Sequence, residues 1–237
     1  MPLSVPLYRL KRQARLLSRK LRVPLHQALD QIAVREGFRR WSLLVRHCAR
    51  TQPAAMILKR LAPGNMLLLG ARPGQGKTML SVELCLAAMR QGRKTSFFSL
   101  EYSEANIASL FSELGESFED YRDHFCFDGS DAICADHIVE RVADVDPGTL
   151  IVIDYLQLLD QNRQHPTLMA QVQRLKSFTD ARQLNLVALS QIHRHFDPRT
   201  NPLPTLDDVR LPNPLDLRLF DQACFLHDGQ VTLSAVN

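Results

Sequence analysis

Lys77 and Thr78 stand directly behind Gly76 in the run Ala71, Arg72, Pro73, Gly74, Gln75, Gly76, Lys77, Thr78, Met79. A lysine and a hydroxyl residue closing a glycine-bearing loop are suited to holding a polyphosphate. Gly74 and Gly76 let backbone N–H groups turn inward around an anion, and the helix that follows adds its positive dipole end. Lys77 then reaches the β and γ phosphates, and the Thr78 hydroxyl reaches Mg²⁺. The consensus loop is Gly-x-x-x-x-Gly-Lys-Ser/Thr, with Ala71 standing where its first glycine would be. Residues 71 to 79 are the expected nucleotide-binding set, and ATP with Mg²⁺ the expected cofactors. A second candidate is Asp154, reached through four apolar residues, Leu150 to Ile153. That is the form of a nucleotide-site strand whose terminal carboxylate holds Mg²⁺, directly or through water.

These groups need elements that bring them together. The apolar run Met66 to Leu69 reads as a buried strand, followed by a loop holding Gly70, Gly74 and Gly76 and a helix over Met79 to Met89. Further strands are expected over Lys94 to Leu100, ending at Glu101, over His124 to Phe127, over Thr149 to Asp154, and over Leu184 to Ser190, ending at Gln191. Helices over Ala105 to Leu114, Ala135 to Ala143 and Thr167 to Arg182 alternate with them, the second stopping before the turn signal Asp146-Pro147-Gly148. Alternating helices and strands predict an α/β fold with a mainly parallel, doubly wound sheet and ligands at the strands' carboxyl ends. Gly70, Glu101, Asp154 and Gln191 all fall there.

The 237 residues are 45% hydrophobic, enough for one large α/β domain with a small appendage. No apolar run is long enough to span a membrane and residues 1 to 22 carry charge throughout, so a soluble, cytoplasmic protein is expected, with no membrane partner. The five cysteines are scattered and never in Cys-x-x-Cys spacing, so they read as reduced thiols and not as metal ligands. Charge is divided sharply. The first 60 residues hold 14 Lys/Arg against only Asp30 and Glu36, a net of +12, and the remainder carries −8. A domain boundary near Gln52-Pro53 follows, giving a basic domain over 1–52 and a nucleotide domain over 53–237.

Within the basic part, Leu7, Leu10, Ala14, Leu17 and Leu21 mark one helix face, and Leu25, Ala28, Leu29, Ile32 and Ala33 a second helix that Gly37 can cap. Phe38, Trp41, Leu44 and Val45 suggest a third, running to Arg50. The spacing of Ala33, Gly37 and Leu43 loosely matches a helix-turn-helix, with Phe38 to Arg50 as the recognition helix. Two readings stay open for the basic face. It meets nucleic-acid phosphates, with Arg9, Lys11, Arg12, Arg15, Arg19, Lys20, Arg22, Arg39 and Arg40 as contacts, or it docks on the acidic half or a partner protein.

Ala71 to Thr78, Phe98-Ser-Leu-Glu101, Ile153-Asp-Tyr-Leu-Gln157 and Ala188-Leu-Ser-Gln191, followed by Arg194, together resemble the ATPase domain of DnaB-type replicative DNA helicases. The resemblance covers roughly residues 60 to 228 and implies a RecA-like P-loop NTPase core preceded by a small all-α basic domain. It implies ATP hydrolysis, with Glu101 polarising the attacking water, Lys77 on the phosphates, Thr78 and Asp154 serving Mg²⁺ and Gln191 sensing the γ-phosphate. Single-stranded DNA is the implied partner, through loops at Gln161 to Pro166 and His193 to Pro204 that bring in Arg163 and Arg194. There are departures. The family's large N-terminal domain is replaced by the basic residues, and Asp207-Asp-Val-Arg210 stands for a Ser-Asp-Leu-Arg segment, with Asp221 corresponding to a later acid. The family also continues to a Lys-x-Arg strand whose arginine reaches a neighbouring subunit's ATP, and this sequence ends before it. A homo-oligomer is therefore expected to lack that contact. Two function classes follow: a helicase-like ATPase acting on DNA, or a non-motor, ATP-gated regulatory or adaptor module.

Overall fold

The computed structural model describes residues 3–5, 7–50, 53–160, 165–211 and 213–236. The chain divides into two compact units, Met1–Met56 and Ile57–Asn237. Helix α4, Pro53–Arg60, crosses this division. Its eight residues hold too few turns to display a helical period in the sequence. Gln52, at the charge boundary, lies outside the described residues. No helix among the described residues is long and apolar enough to cross a membrane.

The first unit is built from α1, Leu7–Leu21, α2, Leu25–Arg35, and α3, Trp41–Arg50. Leu10, Ala14, Ala28, Ile32, Ala33 and Leu44 form its small core. Gly37 ends α2 in a paired cap: its N–H donates to the Val34 carbonyl at 3.0 Å, and the Phe38 N–H donates to the Ala33 carbonyl at 2.9 Å. The third helix starts at Trp41 and not at Phe38, since Phe38 is used in closing α2. Asp30 on α2 instead accepts from the Trp41 N–H at 2.8 Å. The helix-turn-helix spacing does not hold either. That pattern needs Leu43 inside, but Leu43 is 41% exposed and Leu44 is the residue in the core. The five-residue turn Glu36–Arg40 rotates α3 so that the next position faces inward.

The second unit is a seven-stranded sheet with helices on it. In chain order its elements are β1, Met66–Ala71; α5, Lys77–Met89; β2, Thr95–Ser99; α6, Glu104–Leu114; β3, Phe125–Asp128; α7, Ala135–Arg141; β4, Leu150–Asp154; α8, Leu168–Arg182; β5, Asn185–Gln191; β6, Gln222–His227; and β7, Gln230–Ala235. The strand order is β3-β2-β4-β5-β1-β6-β7, parallel throughout except for the antiparallel β6–β7 pair. Strands β1, β2 and β4 are buried along their whole length, as apolar runs covered on both faces should be. The α/β class and the mainly parallel sheet are those read from the sequence.

Two features differ from that reading. The β6–β7 hairpin is additional, although Asp228-Gly229 between two short strand-like runs is a recognisable two-residue hairpin signal. Gly70 is not a loop residue. It pairs with Ser190 and Phe225 inside β1, where a Cβ would lie 2.7 Å from two carbons of the Phe225 ring. Its role is to let a ring approach the backbone closely.

Candidate nucleotide site

Crossing from β1 to α5, the chain turns through Gly74 at φ +78° and Gly76 at φ +89°, a left-handed backbone that side chains with a Cβ strain to adopt. The turn places Lys77 and Thr78 on the first turn of α5, where the unsatisfied N–H groups point out of the helix. The Leu80 N–H donates to the Gly76 carbonyl at 2.9 Å and the Ser81 hydroxyl to the Thr78 carbonyl at 2.7 Å, which secures that turn.

Asp154 ends β4, two strands from β1 in the sheet, and is fully buried. Its Oδ1 lies 3.3 Å from Lys77 Nζ, and its Oδ2 accepts from Thr78 Oγ1 at 2.9 Å. A buried carboxylate is tolerated where it is paired and hydrogen-bonded, as here. The donor set fits Mg²⁺: one carboxylate and one hydroxyl, both hard oxygens, leave the remaining positions to phosphate and water, the way Mg²⁺ is commonly held. No cluster of His, Cys, Asp or Glu among the described residues could by itself hold a metal ion.

Glu101 follows β2, the neighbour of β4. The Ser99 hydroxyl accepts from the Glu101 and Tyr102 N–H groups at 3.1 and 3.3 Å, which fixes the bend after the strand. Partial burial pushes the Glu101 carboxyl above its ordinary range, the nearby Asp154 charge adds to the rise, and Lys77 opposes it. Glu101 therefore faces the same crevice as Lys77 and Asp154.

Gln191 ends β5 opposite Ala71. Its side-chain Oε1 accepts from Arg210 Nη1 at 3.3 Å. The sequence brings Lys77, Thr78, Glu101, Asp154 and Gln191 to the carboxyl ends of four adjacent strands, and the fold assembles them. Two residues of the expected cofactor set also hold neighbouring loops. Arg72 Nη2 donates to the Arg194 carbonyl at 3.0 Å, and Gln75 Oε1 accepts from the Asp228 N–H at 2.8 Å. Both side chains grip the flanking loops, so the phosphate loop is clamped from the β5 side and the β6 side. Met79 is buried beneath the loop, and its side chain serves the core. A cleft of about 730 Å³ lies on the β5 side, lined by Arg72, Pro73, Gln75, Gln191, Ile192, His193, Arg194, His195 and Arg210. Arg210 and Gln157 are members of this neighbourhood that residue-type reasoning does not single out as site residues.

Of the nucleic-acid candidates, Arg9, Arg12, Arg15, Arg19, Lys20, Arg22, Arg39, Arg40 and Arg194 are exposed and Lys11 is half-buried. Arg12, Arg15 and Arg19 lie on the side of α1 opposite Leu10 and Ala14. Arg163, with most of the loop from Gln161 to Pro166, lies outside the described residues.

A family model, the DnaB-like helicase C-terminal domain, matches residues 55–116 and 122–216. A probable plasmid replicative DNA helicase from Chlamydia muridarum is 31% identical over 185 residues, covering 63% of this chain and 40% of that protein. The replicative DNA helicase DnaB of Mycoplasma pneumoniae is 27% identical over 205 residues, covering 69% of this chain and 42% of that protein. The chain thus spans about two-fifths of the length of the curated relatives it matches. Among solved structures, an isolated ATPase domain aligns with a TM-score of 0.55 at 18% identity, over 78% of this chain and 81% of that one. A DnaB-like replicative helicase studied with its interactions with primase aligns at 0.56 and 16%, over 92% and 66%. These two likenesses show a common fold.

Proposed function

This chain belongs to the DnaB-like helicase C-terminal domain family, and from that premise we propose that it binds and hydrolyses Mg²⁺-ATP and acts with single-stranded DNA. The observation that carries the proposal is the buried contact of Asp154 with both Lys77 and Thr78, with the raised carboxyl of Glu101 facing it. Lys77 and the backbone of Gly74 to Thr78 bind the phosphates. Thr78 and Asp154 would hold the cation, which when bound would supply charge neutralisation to the phosphates. In releasing Asp154, Lys77 exchanges one anionic partner for another, so the site is electrostatically prepared for phosphate before it arrives. Glu101 orients water for in-line attack and accepts its proton, and Gln191 contacts the terminal phosphate at the end of β5.

Residues 1–52 serve in this reading as a basic domain preceding the ATPase domain over 53–237. Their density of exposed Arg and Lys supports a role on nucleic-acid phosphates, with Arg194 and the cleft beside it contributing from the ATPase domain. The family match begins only at residue 55, and that favours one further reading, in which the basic unit addresses a partner protein and the ATPase gates the contact.

The decisive experiment is Lys77→Ala. The side chain reaches a crevice and takes no part in the core, so the fold should survive while Mg²⁺-ATP affinity disappears. Equal affinity in the variant and the parent protein removes the basis of the proposal.

A further inference from the structure

Gln191 is useful as a reporter of a terminal phosphate only if its amide presents the right end. An amide offers one acceptor oxygen and one nitrogen with two N–H groups, and only the nitrogen attracts a phosphate. What holds the amide is a segment that sequence reading leaves without a role. The Arg210 N–H donates to the Gln191 carbonyl at 2.8 Å, the His193 N–H donates to the Asp208 carbonyl at 2.8 Å, and Ile192 pairs with Val209 in an antiparallel bridge. Residues 208–210 thus run as a clip along the continuation of β5. The clip is secured at its start, where the Thr205 N–H and hydroxyl donate to Asp208 Oδ2 at 2.8 and 3.1 Å.

From this clip Arg210 Nη1 donates to Gln191 Oε1 at 3.3 Å. Arginine has no acceptor and stays protonated, so this contact is possible only with the amide oxygen. With the oxygen engaged, the amide nitrogen is the end available to an anion. Behind the clip stands Gln157, three residues beyond Asp154. Its Nε2 donates to the Arg210 carbonyl at 2.6 Å and to Ser190 Oγ at 3.1 Å, joining the end of β4 to the end of β5.

We propose that Arg210 is a positioning residue of the nucleotide site, holding Gln191 with its amide nitrogen toward the γ-phosphate, and that Gln157 holds Arg210 in place. The inference rests on the ATPase reading above. The flipped amide would turn a carbonyl oxygen on a phosphate, replacing an attractive contact by a repulsive one. Arg210 therefore acts on discrimination between nucleotides with and without a γ-phosphate, and not on the hold exerted by Lys77, Thr78 and Asp154.

The test compares Mg²⁺-ADP with the β,γ-imido analogue of ATP by calorimetric titration of the full chain. Arg210 is exposed, and Arg210→Ala keeps both of its backbone hydrogen bonds, so the fold is retained. ADP affinity should be unchanged and the preference for the analogue should fall about tenfold, the weight of one hydrogen bond to a charged group. Gln191→Ala should produce the same loss, and adding Arg210→Ala to it should produce none further, because the arginine works through the amide. Arg210→Lys, which keeps a donor, should restore part of the preference. An unchanged preference in Arg210→Ala, or a second full loss in the double variant, overturns the proposal while leaving the ATPase reading intact. A parent protein that binds neither nucleotide overturns both.

Discussion

Replacing Gly70 by alanine should destabilise the second unit, and the sign of that effect is what makes it informative. In a strand interior, glycine is ordinarily worse than alanine by about 0.5–1 kcal/mol, because it loses more backbone freedom on folding. Here the added Cβ would lie 2.7 Å from Phe225 Cδ1 and Cε1 and 3.0 Å from Ile192 Cδ1. Carbon atoms prefer roughly 3.5–4.0 Å, so the ring must retreat by about 1 Å. It has little room to do so, since Phe225 is 4% exposed and Ile192 is 2% exposed, both within the main core. Overpacking of this kind costs about 1–3 kcal/mol. For a unit of this size that corresponds to a fall in melting temperature of very roughly 2–12 °C. Thermal denaturation of the full chain, followed by circular dichroism, measures it. Phe225→Leu removes the ring edge, so in the Gly70→Ala background it should cost less than it does alone, with a coupling of about 1 kcal/mol or more. Because Ile192 adjoins Gln191, Gly70→Ala should also weaken the preference for the γ-phosphate. A Gly70→Ala protein as stable as its parent, or strict additivity with Phe225→Leu, would refute the packing argument.

Glu101→Gln keeps shape and hydrogen bonding but removes the base, so ATP should still bind while turnover falls by a factor of about 100 or more. In the parent protein, the raised carboxyl of Glu101 must be deprotonated to act, so turnover should rise with pH along an acid limb above the ordinary carboxylate range. A steady-state pH profile without that limb, or undiminished turnover in Glu101→Gln, assigns Glu101 a structural part only. On the basic unit, replacing Arg12, Arg15 and Arg19 together by glutamine in the full chain should lower the slope of log affinity against log salt by about 0.7 for each single-strand phosphate that the variant no longer neutralises. Titrating a labelled oligonucleotide at several salt concentrations reads this directly, and an unchanged slope transfers the basic face to a protein partner.

Much of the site is legible in order along the chain, because a parallel α/β sheet puts the end of every strand on one side. Once the apolar runs leading to Gly70, Glu101, Asp154 and Gln191 are read as strands, the residues at their ends have to meet, whatever the detailed packing. The glycines at 74 and 76, the lysine and the threonine likewise carry their meaning locally, in backbone freedom and position on a helix start. Tertiary structure decides what depends on partners distant in the chain. Leu44 and not Leu43 enters the small core, because a five-residue turn sets the rotation of α3. Gly70 answers to the ring of Phe225, far along the chain, and the side chains of Arg72 and Gln75 clamp loops near residues 194 and 228. Arg210 becomes a neighbour of Gln191 only when the chain folds back along β5. Hydrophobic period and turn chemistry act over a few residues, whereas hydrogen bonds and van der Waals contacts act over a few ångströms. Contacts of the second kind can join any two points of the sequence, and only the folded chain specifies which.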